Sequence, residues 1–418
     1  MNFITSLTRI WLTRSFRAFC FTRDGDRCLE YGSAQNLGLY IHIPFCRSLC
    51  DFCPYCKVPY REDLARSYVA ALKREIELVG GNSPERRKIT TLYFGGGSPA
   101  LVADEIKGIV GTVEKYFEIT EGIGLELHPA DVTEAKLKIL KDAGVTKISI
   151  GIQSFEKKYL DLLGRGTQDN GRIFSALRAV PFETVSMDFI FALPGQTIDD
   201  LKNDIDTAFG NGANHIAIYP FIDFTYTHRK FEKMPEAQKK RLLAKITEYC
   251  RAQGYIRDSI WTFAKPGTKK YSSMTRDNFL GFGCSATTLL TDQFKINTFS
   301  IVDYISRING GTLPTALTLR FTERQRMLYY LFWTAYTTEI DADRFQAFFG
   351  KKLERCYGLE LLFARILGFV QKNGASYFLT SRGAYYYHYY ENFYTLSYID
   401  RMWNLMQAEA FPAGLIIR

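Results

Sequence analysis

Four cysteines within eleven residues constrain this chain more than any other feature of its sequence. Cys46, Cys50, Cys53 and Cys56 follow a short apolar segment, residues 39–43, that has the composition of a buried strand. The spacing C-x3-C-x2-C is too tight for a disulfide framework, but it suits thiolates that surround one compact metal centre. The segment therefore predicts a metal cluster at the end of a strand.

Three kinds of metal site compete for these cysteines. A zinc site usually pairs one CxxC with a second, and the remaining cysteines form no such pair. A closed iron-sulfur cluster for electron transfer would use Cys56 as its fourth ligand. Cysteines at the C-terminal end of a buried parallel strand instead favour a reactive site of an α/β barrel. Cys20 and Cys28 are expected to be incidental, and Cys284 is expected to pack within the fold. Cys250 and Cys356 likewise belong to no second pair of ligands.

The composition predicts a soluble chain of more than one domain in a reducing compartment. Its 418 residues exceed one typical domain, and 46% hydrophobic residues supply a large core. No apolar run reaches the roughly 18 residues that a membrane span needs. The nine cysteines, an odd number, favour the cytoplasm. The net charge of +9 is spread along the chain, which disfavours nucleic-acid binding. Such a surface serves solubility, and the docking of an acidic electron donor is the alternative role.

Helix-like and strand-like segments alternate from residue 61 onward, a pattern typical of βα units and a parallel sheet. Together with the strand before the cysteines, six strands are predicted near residues 39, 90, 124, 147, 185 and 215. We therefore predict an α/β fold with a partial six-unit barrel over residues 38–225. An accessory segment (226–315) would close the cavity. A small helical domain (316–418), with a winged helix as one alternative, would follow, and residues 1–37 would form an amphipathic extension.

The two ends of the chain carry helical patterns. Residues 1–22 mix arginines with apolar side chains, which predicts an amphipathic helix and not a signal peptide. We expect this helix to pack over the barrel mouth, and peripheral membrane contact is the alternative. Near the C-terminus, SYFLTSRGAYYYHYY could supply a β-wing, and its tyrosines are expected to pack against the barrel and not to stack on bases.

The sequence LYIHIPFC with a CxxxCxFC spacing resembles the radical S-adenosylmethionine (SAM) enzymes grouped with oxygen-independent coproporphyrinogen III oxidase and the related heme chaperone. The resemblance extends over most of residues 38–290 and implies the six-unit radical SAM barrel. It also implies that Cys46, Cys50 and Cys53 bind three irons of a [4Fe-4S] cluster, while the fourth iron stays open for SAM. Cys56 departs from the oxidase pattern, because two residues and not one separate it from Cys53.

The same resemblance implies that residues at the predicted strand ends contact SAM. YFGGGSP corresponds to the segment that binds the methionine portion, and exposed amides of its glycines could hold a carboxylate or an amine. Glu126 corresponds to an acidic contact to the ribose. Asp188 lies within an apolar strand, so its carboxylate must have a partner or line the cavity. The implied SAM contacts are Tyr40, Gly96, Gly97, Ser98, Glu126, Gln153, Arg165, Asp188, Tyr219, Pro220 and Thr287.

The resemblance implies that an electron from the cluster cleaves SAM and that a 5'-deoxyadenosyl radical abstracts hydrogen from the substrate. Oxidative decarboxylation of porphyrinogen propionates is the leading expectation, although no arginine matches a propionate site. Methyl transfer with a second SAM and heme binding by a chaperone are the alternatives. His42 is a weak candidate for a heme ligand, since its place within a strand favours a structural role. Expected partners are a flavodoxin or ferredoxin and a tetrapyrrole or other aromatic substrate. No catalytic protein residue is singled out.

Overall fold

The structure is a computed structural model that describes residues 3–23, 29–83, 85–227, 232, 234–269 and 277–417. Cys28, which we expected to be incidental, lies outside these residues. The strands, in chain order, are β1 (Phe19–Thr22), β2 (Leu37–Ile43), β3 (Phe45–Cys46), β4 (Val58–Pro59), β5 (Arg87–Ile89), β6 (Leu92–Gly96), β7 (Phe117–Ile119), β8 (Ile123–Leu127), β9 (Val145–Gln153), β10 (Thr184–Phe191), β11 (His215–Pro220), β12 (Ile256–Arg257), β13 (Thr262–Ala264), β14 (Asn278–Phe282), β15 (Thr287–Leu289), β16 (Gln293–Asn297), β17 (Thr315–Arg320), β18 (Glu339–Asp341), β19 (Val370–Asn373), β20 (Ser376–Leu379) and β21 (Gly414–Ile417). The helices are α1 (Phe3–Thr13), α2 (Glu62–Gly80), α3 (Ala103–Glu114), α4 (Glu134–Asp142), α5 (Lys157–Leu162), α6 (Asn170–Ala179), α7 (Ile198–Gly210), α8 (Glu236–Ala252), α9 (Ile301–Asn309), α10 (Glu323–Tyr336), α11 (Ala342–Phe349), α12 (Leu353–Ile366), α13 (Ser381–Tyr394) and α14 (Asp400–Ala408).

Six parallel strands form the centre of one large mixed sheet, as the sequence predicts. Strands β2, β6, β8, β9, β10 and β11 lie side by side in this order, and each neighbouring pair runs parallel. Helices α2, α3, α4, α6 and α7 lie in the connections between them, since parallel strands need long crossovers. The carboxyl ends of these strands therefore meet at one edge of the sheet, where α/β barrels build reactive sites.

The sheet extends beyond these six strands on both sides. Strand β14 runs parallel to β2, with Gly281 opposite Tyr40, and β15, β16, β17, β1 and β21 follow in that order. Beyond β11, strands β13 and β12 add an antiparallel pair. Part of the segment predicted to close the cavity thus joins the barrel sheet itself. The C-terminal tail docks on the body as predicted, because β21 pairs with β1.

Burial along the central strands explains their composition. Strand β2 buries each of its residues except Tyr40, and β10 buries each of its residues except Asp188. Such nearly continuous burial is typical of parallel strands that are covered on both faces. As the sequence predicts, Thr197 caps α7, and its partner in the capping box is Asp200.

The C-terminal region forms a smaller unit with an apolar core of its own. Helices α10 and α11 contact the three-stranded sheet β18-β20-β19 and α12 contacts β19, and the core includes Tyr330, Phe345 and Tyr357. Strand β20 lies within the stretch predicted to form a β-wing. The tyrosine-rich remainder, residues 381–394, forms helix α13 instead, because the Thr380 hydroxyl caps it by accepting from the Gly383 amide. The wing prediction is wrong for that part.

The N-terminal helix α1 packs against the C-terminal helices. It contacts α10 and α13, and the Trp11 indole N–H donates to the Glu360 carboxylate at 3.1 Å. Arg14 pairs with the same carboxylate at 2.6 Å, and the Trp11 ring lies edge-on to Phe363. The C-terminal unit thus supplies partners of this helix, and its position over the barrel mouth stays a prediction. Within the described residues, each helix is too short or too polar to cross a membrane.

Candidate active site

A short ladder closes the cysteine loop at the carboxyl end of β2. Strands β3 and β4 pair in parallel, and the Tyr60 amide donates to the Cys46 carbonyl at 2.9 Å. Between them, the Cys53 amide donates to the Cys50 carbonyl at 3.3 Å, which makes a tight turn. The loop is thus held at its base, beside the strand ends.

The thiols of Cys46, Cys50 and Cys53 lie close enough to influence one another. Burial raises the pKa of Cys46 to about 12, and the charges of Cys53 and Cys50 add to the shift. Burial also raises the pKa of Cys53. Positive charge on Lys57 and Arg165 opposes both shifts. Three thiolates therefore need a compensating cation, which a bound metal cluster would supply.

These three thiols lie outside the compact set of potential single-ion ligands in the described part of the chain. Within the described residues, one set of three potential ligands lies entirely within 4.8 Å, and that set is His42, Cys56 and Cys284. The first three loop cysteines do not form such a set. Three thiols in one loop are a donor set that can bind three irons of one iron-sulfur cluster, one thiolate to each iron. The residues present therefore fit a three-cysteine iron-sulfur cluster.

Cys56, the fourth cysteine of the loop, is turned toward a different set of groups. Its thiol donates to the Phe299 carbonyl at 3.3 Å. A hydrogen bond from Cys284 lowers the pKa of Cys56, and His42 acts in the same direction. Burial raises the pKa of Cys284 well above its ordinary value. A closed cluster with Cys56 as a ligand would have to break this arrangement, so the geometry favours the open site.

The glycine segment after β6 has amides that are already hydrogen-bonded within the protein. Gly96, Gly97 and Ser98 each donate a backbone amide. Their acceptors are the Glu126 carboxylate at 3.1 Å, the Ile43 carbonyl at 2.8 Å and the Phe45 carbonyl at 2.7 Å, respectively. The expected cradle of exposed amides is therefore wrong. That these residues contact SAM stays a prediction, and such contacts would have to use other atoms.

Close approach is what the glycine segment provides. A Cβ built on Gly97 would lie 2.8 Å from the Cys46 Sγ, so a side chain there would push on the cysteine loop. Gly96 has a φ of 119°, a conformation that favours glycine, and a Cβ on it would lie 2.9 Å from the His42 ring. The segment is thus packed against the loop and against β2.

Glu126 lies on β8 beside Tyr40. It accepts hydrogen bonds from the Tyr93 hydroxyl at 3.2 Å and from the Gly96 amide at 3.1 Å. Burial raises the pKa of Glu126 to about 7, and the charge of Asp188 adds to the shift. Burial raises the pKa of Tyr40 as well, with Glu126 as the second cause. These neutral donors leave lone pairs of the carboxylate for ligand hydroxyls.

Gln153 and Arg165 meet at the carboxyl end of β9. The Arg165 guanidinium donates to the Gly151 carbonyl at 2.6 Å and lies 5.8 Å from the centroid of Phe52, a residue of the cysteine loop. Gln153 has a φ of 70°, which is rare for a residue other than glycine and concentrates at functional sites. Arg165 is thus a cation held beside the loop thiols, where it could pair with a ligand carboxylate.

Asp188 has the partners that its burial demands, as the sequence predicts. Its carboxylate accepts from the Ser149 hydroxyl at 2.8 Å and from the Ser186 hydroxyl at 3.2 Å. Burial still raises its pKa, although the serines and His215 oppose the shift. The sequence analysis did not single out the two serines, because serine on a buried strand carries no pattern of its own.

Two tyrosines, Tyr55 and Tyr219, lie near the carboxylate of Asp188. Tyr55 and Tyr219 keep 54% and 42% of their surface accessible. Protein nevertheless surrounds them closely enough that burial raises the pKa of both, and Asp188 acts on both. Both tyrosines therefore lie close to Asp188 while part of their surface stays accessible. The sequence analysis missed Tyr55, because a tyrosine between two cysteines gives no signal of its direction.

Three predicted contacts lie at the margin of this group. Pro220 is buried at the end of β11, and Thr287 begins β15, which β14 separates from β2. Ser98 is 3% exposed, and its hydroxyl donates to Asp131 at 2.8 Å. The structure thus brings the predicted residues Tyr40, Glu126, Asp188 and Tyr219 close to one another, and Tyr40 lies close to Cys56 of the cysteine loop.

Residues 40–208, which include the whole cysteine loop, match the model of the Radical SAM superfamily. The chain contains a radical SAM domain. The cofactors of this superfamily are a [4Fe-4S] cluster and SAM, as the sequence analysis expected. The α/β fold with a radical SAM barrel is likewise confirmed.

Two kinds of relative share the radical SAM domain. The chain is 27% identical over 363 residues to the heme chaperone HemW of Bacillus subtilis, an alignment of 82% of this chain and 95% of HemW. It is 25% identical over 316 residues to the oxygen-independent coproporphyrinogen III oxidase of Pseudomonas aeruginosa, 67% of each chain. Its fold matches coproporphyrinogen III oxidase (HemN) from Escherichia coli with a TM-score of 0.75 at 20% identity, over 91% of this chain and 96% of HemN.

Proposed function

We propose that this chain holds a [4Fe-4S] cluster through Cys46, Cys50 and Cys53, cleaves SAM reductively and acts on a tetrapyrrole. One observation carries the proposal: Cys56, the fourth loop cysteine, contacts the Phe299 carbonyl and lies beside His42 and Cys284. Cys46, Cys50 and Cys53 are the three loop cysteines that remain for the cluster. Three thiolates leave one iron without a protein ligand, as an open catalytic site requires. When bound, the reduced cluster supplies the electron that cleaves SAM to a 5'-deoxyadenosyl radical and methionine.

Residues around the loop would bind and orient SAM. Glu126 would accept the ribose hydroxyls, since its present donors leave lone pairs unused. Arg165 would pair with the carboxylate of the methionine portion, with Gln153 beside it. Gly96 and Gly97 would contact SAM through atoms other than their amides, which are bonded within the protein. The further proposed contacts are Tyr40, Ser98, Asp188, Tyr219, Pro220 and Thr287.

The substrate would bind near Glu126 and Asp188. We infer oxidative decarboxylation of a porphyrinogen propionate, the reaction class of the coproporphyrinogen oxidase relatives. Hydrogen abstraction would leave a carbon radical that loses CO2 and passes one further electron to an acceptor. A flavodoxin or ferredoxin would supply the first electron in the cytoplasm, and the net charge of +9 would favour docking of such an acidic protein.

A heme chaperone is the second candidate. The alignment with HemW of Bacillus subtilis covers 95% of that protein, whereas the alignment with the Pseudomonas aeruginosa oxidase covers 67% of the oxidase. In this role the chain would bind heme and turn over little SAM. The oxidase would release CO2 from its substrate, whereas the chaperone would bind heme. One set of assays therefore distinguishes the two functions.

The test uses anaerobically reconstituted full-length protein with dithionite and SAM. For the oxidase we expect coproporphyrinogen III to increase 5'-deoxyadenosine release and to lose CO2, one per propionate converted. A Cys50→Ala variant should release neither 5'-deoxyadenosine nor CO2. Cys20→Ala, at an exposed position, is the matched control and should release both. Stoichiometric heme binding without decarboxylation would support the chaperone. A methylated product with S-adenosylhomocysteine would show methyl transfer and overturn the oxidase proposal.

A further inference from the structure

Three buried side chains of the types that can bind metal converge at the end of the cysteine loop. His42 comes from β2, Cys56 from the end of the cysteine loop, and Cys284 from the turn after β14. Their ligand atoms all lie within 4.8 Å of one another, and the residues are 3%, 9% and 0% exposed. We propose that these residues bind one Zn²⁺ ion, at a site separate from the radical SAM cluster.

The donor set matches zinc in chemistry and charge. Two thiolates and one imidazole are ligands that zinc accepts in tetrahedral sites. Two thiolates and a neutral imidazole also balance the charge of a divalent ion, which lowers the cost of burying it. Binding would release two thiol protons, and Cys56 would exchange its hydrogen bond to the Phe299 carbonyl for the metal.

The histidine is already oriented by hydrogen bonds on both sides of its ring. His42 Nδ1 lies 3.1 Å from the Tyr40 hydroxyl, and Nε2 lies 3.0 Å from the Cys56 carbonyl oxygen. One nitrogen would exchange its partner for the metal, while the other would keep its hydrogen bond. A metal-bound histidine almost always has such a second hydrogen bond, which fixes the tautomer and the ring orientation.

The turn that carries Cys284 is held in a strained conformation. Gly283 has a φ of 99° and Ser285 a φ of 57°, so left-handed residues flank the cysteine on both sides. The Cys284 amide donates to the Tyr68 hydroxyl at 3.0 Å, and that hydroxyl donates to the His42 carbonyl at 2.8 Å. Two of the three ligands are thus fixed by one tyrosine.

A network around the turn supports the same geometry. The Gly283 amide donates to the Glu75 carboxylate at 2.7 Å. A Cβ on Gly283 would lie 2.6 Å from the His42 carbonyl oxygen, so only glycine allows this approach of the turn to β2. A zinc ion here would fasten the end of the cysteine loop to β2 and to the turn after β14, and would thereby stabilise the base of the radical SAM site.

The test measures zinc and iron separately in the same full-length protein. After anaerobic reconstitution and addition of ZnCl2, we expect one tightly bound zinc per chain in addition to four irons. Zinc K-edge X-ray absorption should show two sulfurs at about 2.3 Å and one nitrogen at about 2.0–2.1 Å. This edge reports zinc alone, so the iron cluster does not interfere.

Variants assign the site. Cys284→Ala should lower zinc affinity at least 10-fold while the iron and sulfide contents stay at the wild-type level. Cys250→Ala, at an equally buried cysteine in α8, should keep the zinc and controls for loss of a buried thiol. Cys56→Ala should likewise lower zinc affinity at least 10-fold and keep the iron and sulfide contents. If one of the two variants folds poorly, the other still tests the site.

Several outcomes would overturn the proposal. They are a zinc shell without sulfur, unchanged zinc affinity in Cys284→Ala, and a Cys56–Cys284 disulfide in anaerobically purified protein. Loss of iron and not of zinc in Cys56→Ala would make Cys56 a ligand of the iron-sulfur cluster and would also overturn it.

Discussion

Replacing Gly97 with alanine tests whether the glycine segment makes room for the cysteine loop. A Cβ at this position would lie 2.8 Å from the Cys46 Sγ, and nearer still to the Phe45 carbonyl oxygen. Ordinary contact begins at 3.4 Å, so the sulfur would have to retreat by about 0.6 Å in a close-packed region. Overpacking of this kind costs about 1–3 kcal/mol. Since about 1.4 kcal/mol is tenfold in an equilibrium, we expect cluster retention to weaken about 5- to 150-fold.

The assay is iron and acid-labile sulfide per chain after anaerobic reconstitution, followed over time in the presence of a chelator. Gly111→Ala is the matched control, because Gly111 lies on an exposed position of α3 and a Cβ there meets nothing within 4 Å. It should retain the cluster as the wild type does and gain up to about 1 kcal/mol of helix stability. Equal cluster retention in the two variants would refute the steric reasoning and leave Gly97 as an ordinary turn residue.

Three further changes have expected outcomes. Asp188→Asn should keep the fold and slow SAM cleavage by an amount equivalent to about 1–3 kcal/mol, because the charge of a hydrogen-bonded carboxylate is lost; wild-type release of 5'-deoxyadenosine would place Asp188 away from the reaction. Burial raises the pKa of Glu75 from 4.5 to about 7. The folded chain therefore keeps a proton that the unfolded chain has lost, and stability should fall by up to about 3 kcal/mol as pH rises from 4.5 to 7. Glu75→Gln should flatten this dependence in urea unfolding, and an unchanged slope would contradict the assignment. Gly383→Ala should destabilise the C-terminal unit by about 1–3 kcal/mol, because a Cβ would lie 2.8 Å from the Phe369 carbonyl carbon; it should increase proteolysis there without loss of iron, and unchanged proteolysis would speak against it.

The central strands could be predicted because short apolar runs, bounded by glycine and polar residues, indicate buried strands. Parallel order followed from the alternation with helices, since a crossover is needed between parallel neighbours. Strand β14 escaped prediction because it joins β2 from a distant part of the chain. Local patterns carry no information about such a pairing, and the same holds for the pairing of β1 with β21.

The site was predictable where a residue type conflicted with its surroundings. Asp188 stood out as a carboxylate on an apolar strand, and the structure supplies its hydroxyl partners. Residue types do not indicate which backbone amides are hydrogen-bonded. The amides of the glycine segment were therefore wrongly expected to be exposed. The association of Cys56 with Cys284 was also hidden, because it depends on where β14 enters the sheet.

The division of the loop cysteines is the central claim, and SAM cleavage by cysteine variants tests it most directly. Anaerobically reconstituted protein reduced with dithionite should release 5'-deoxyadenosine from SAM, and Cys50→Ala should lose both the cluster and this activity. Cys56→Ala should keep four irons and should still cleave SAM, because three thiolates suffice and the fourth iron must stay open. If Cys56→Ala lost the cluster as completely as Cys50→Ala, the loop would hold a closed four-cysteine cluster, and the assignment of a SAM-cleaving site would be contradicted.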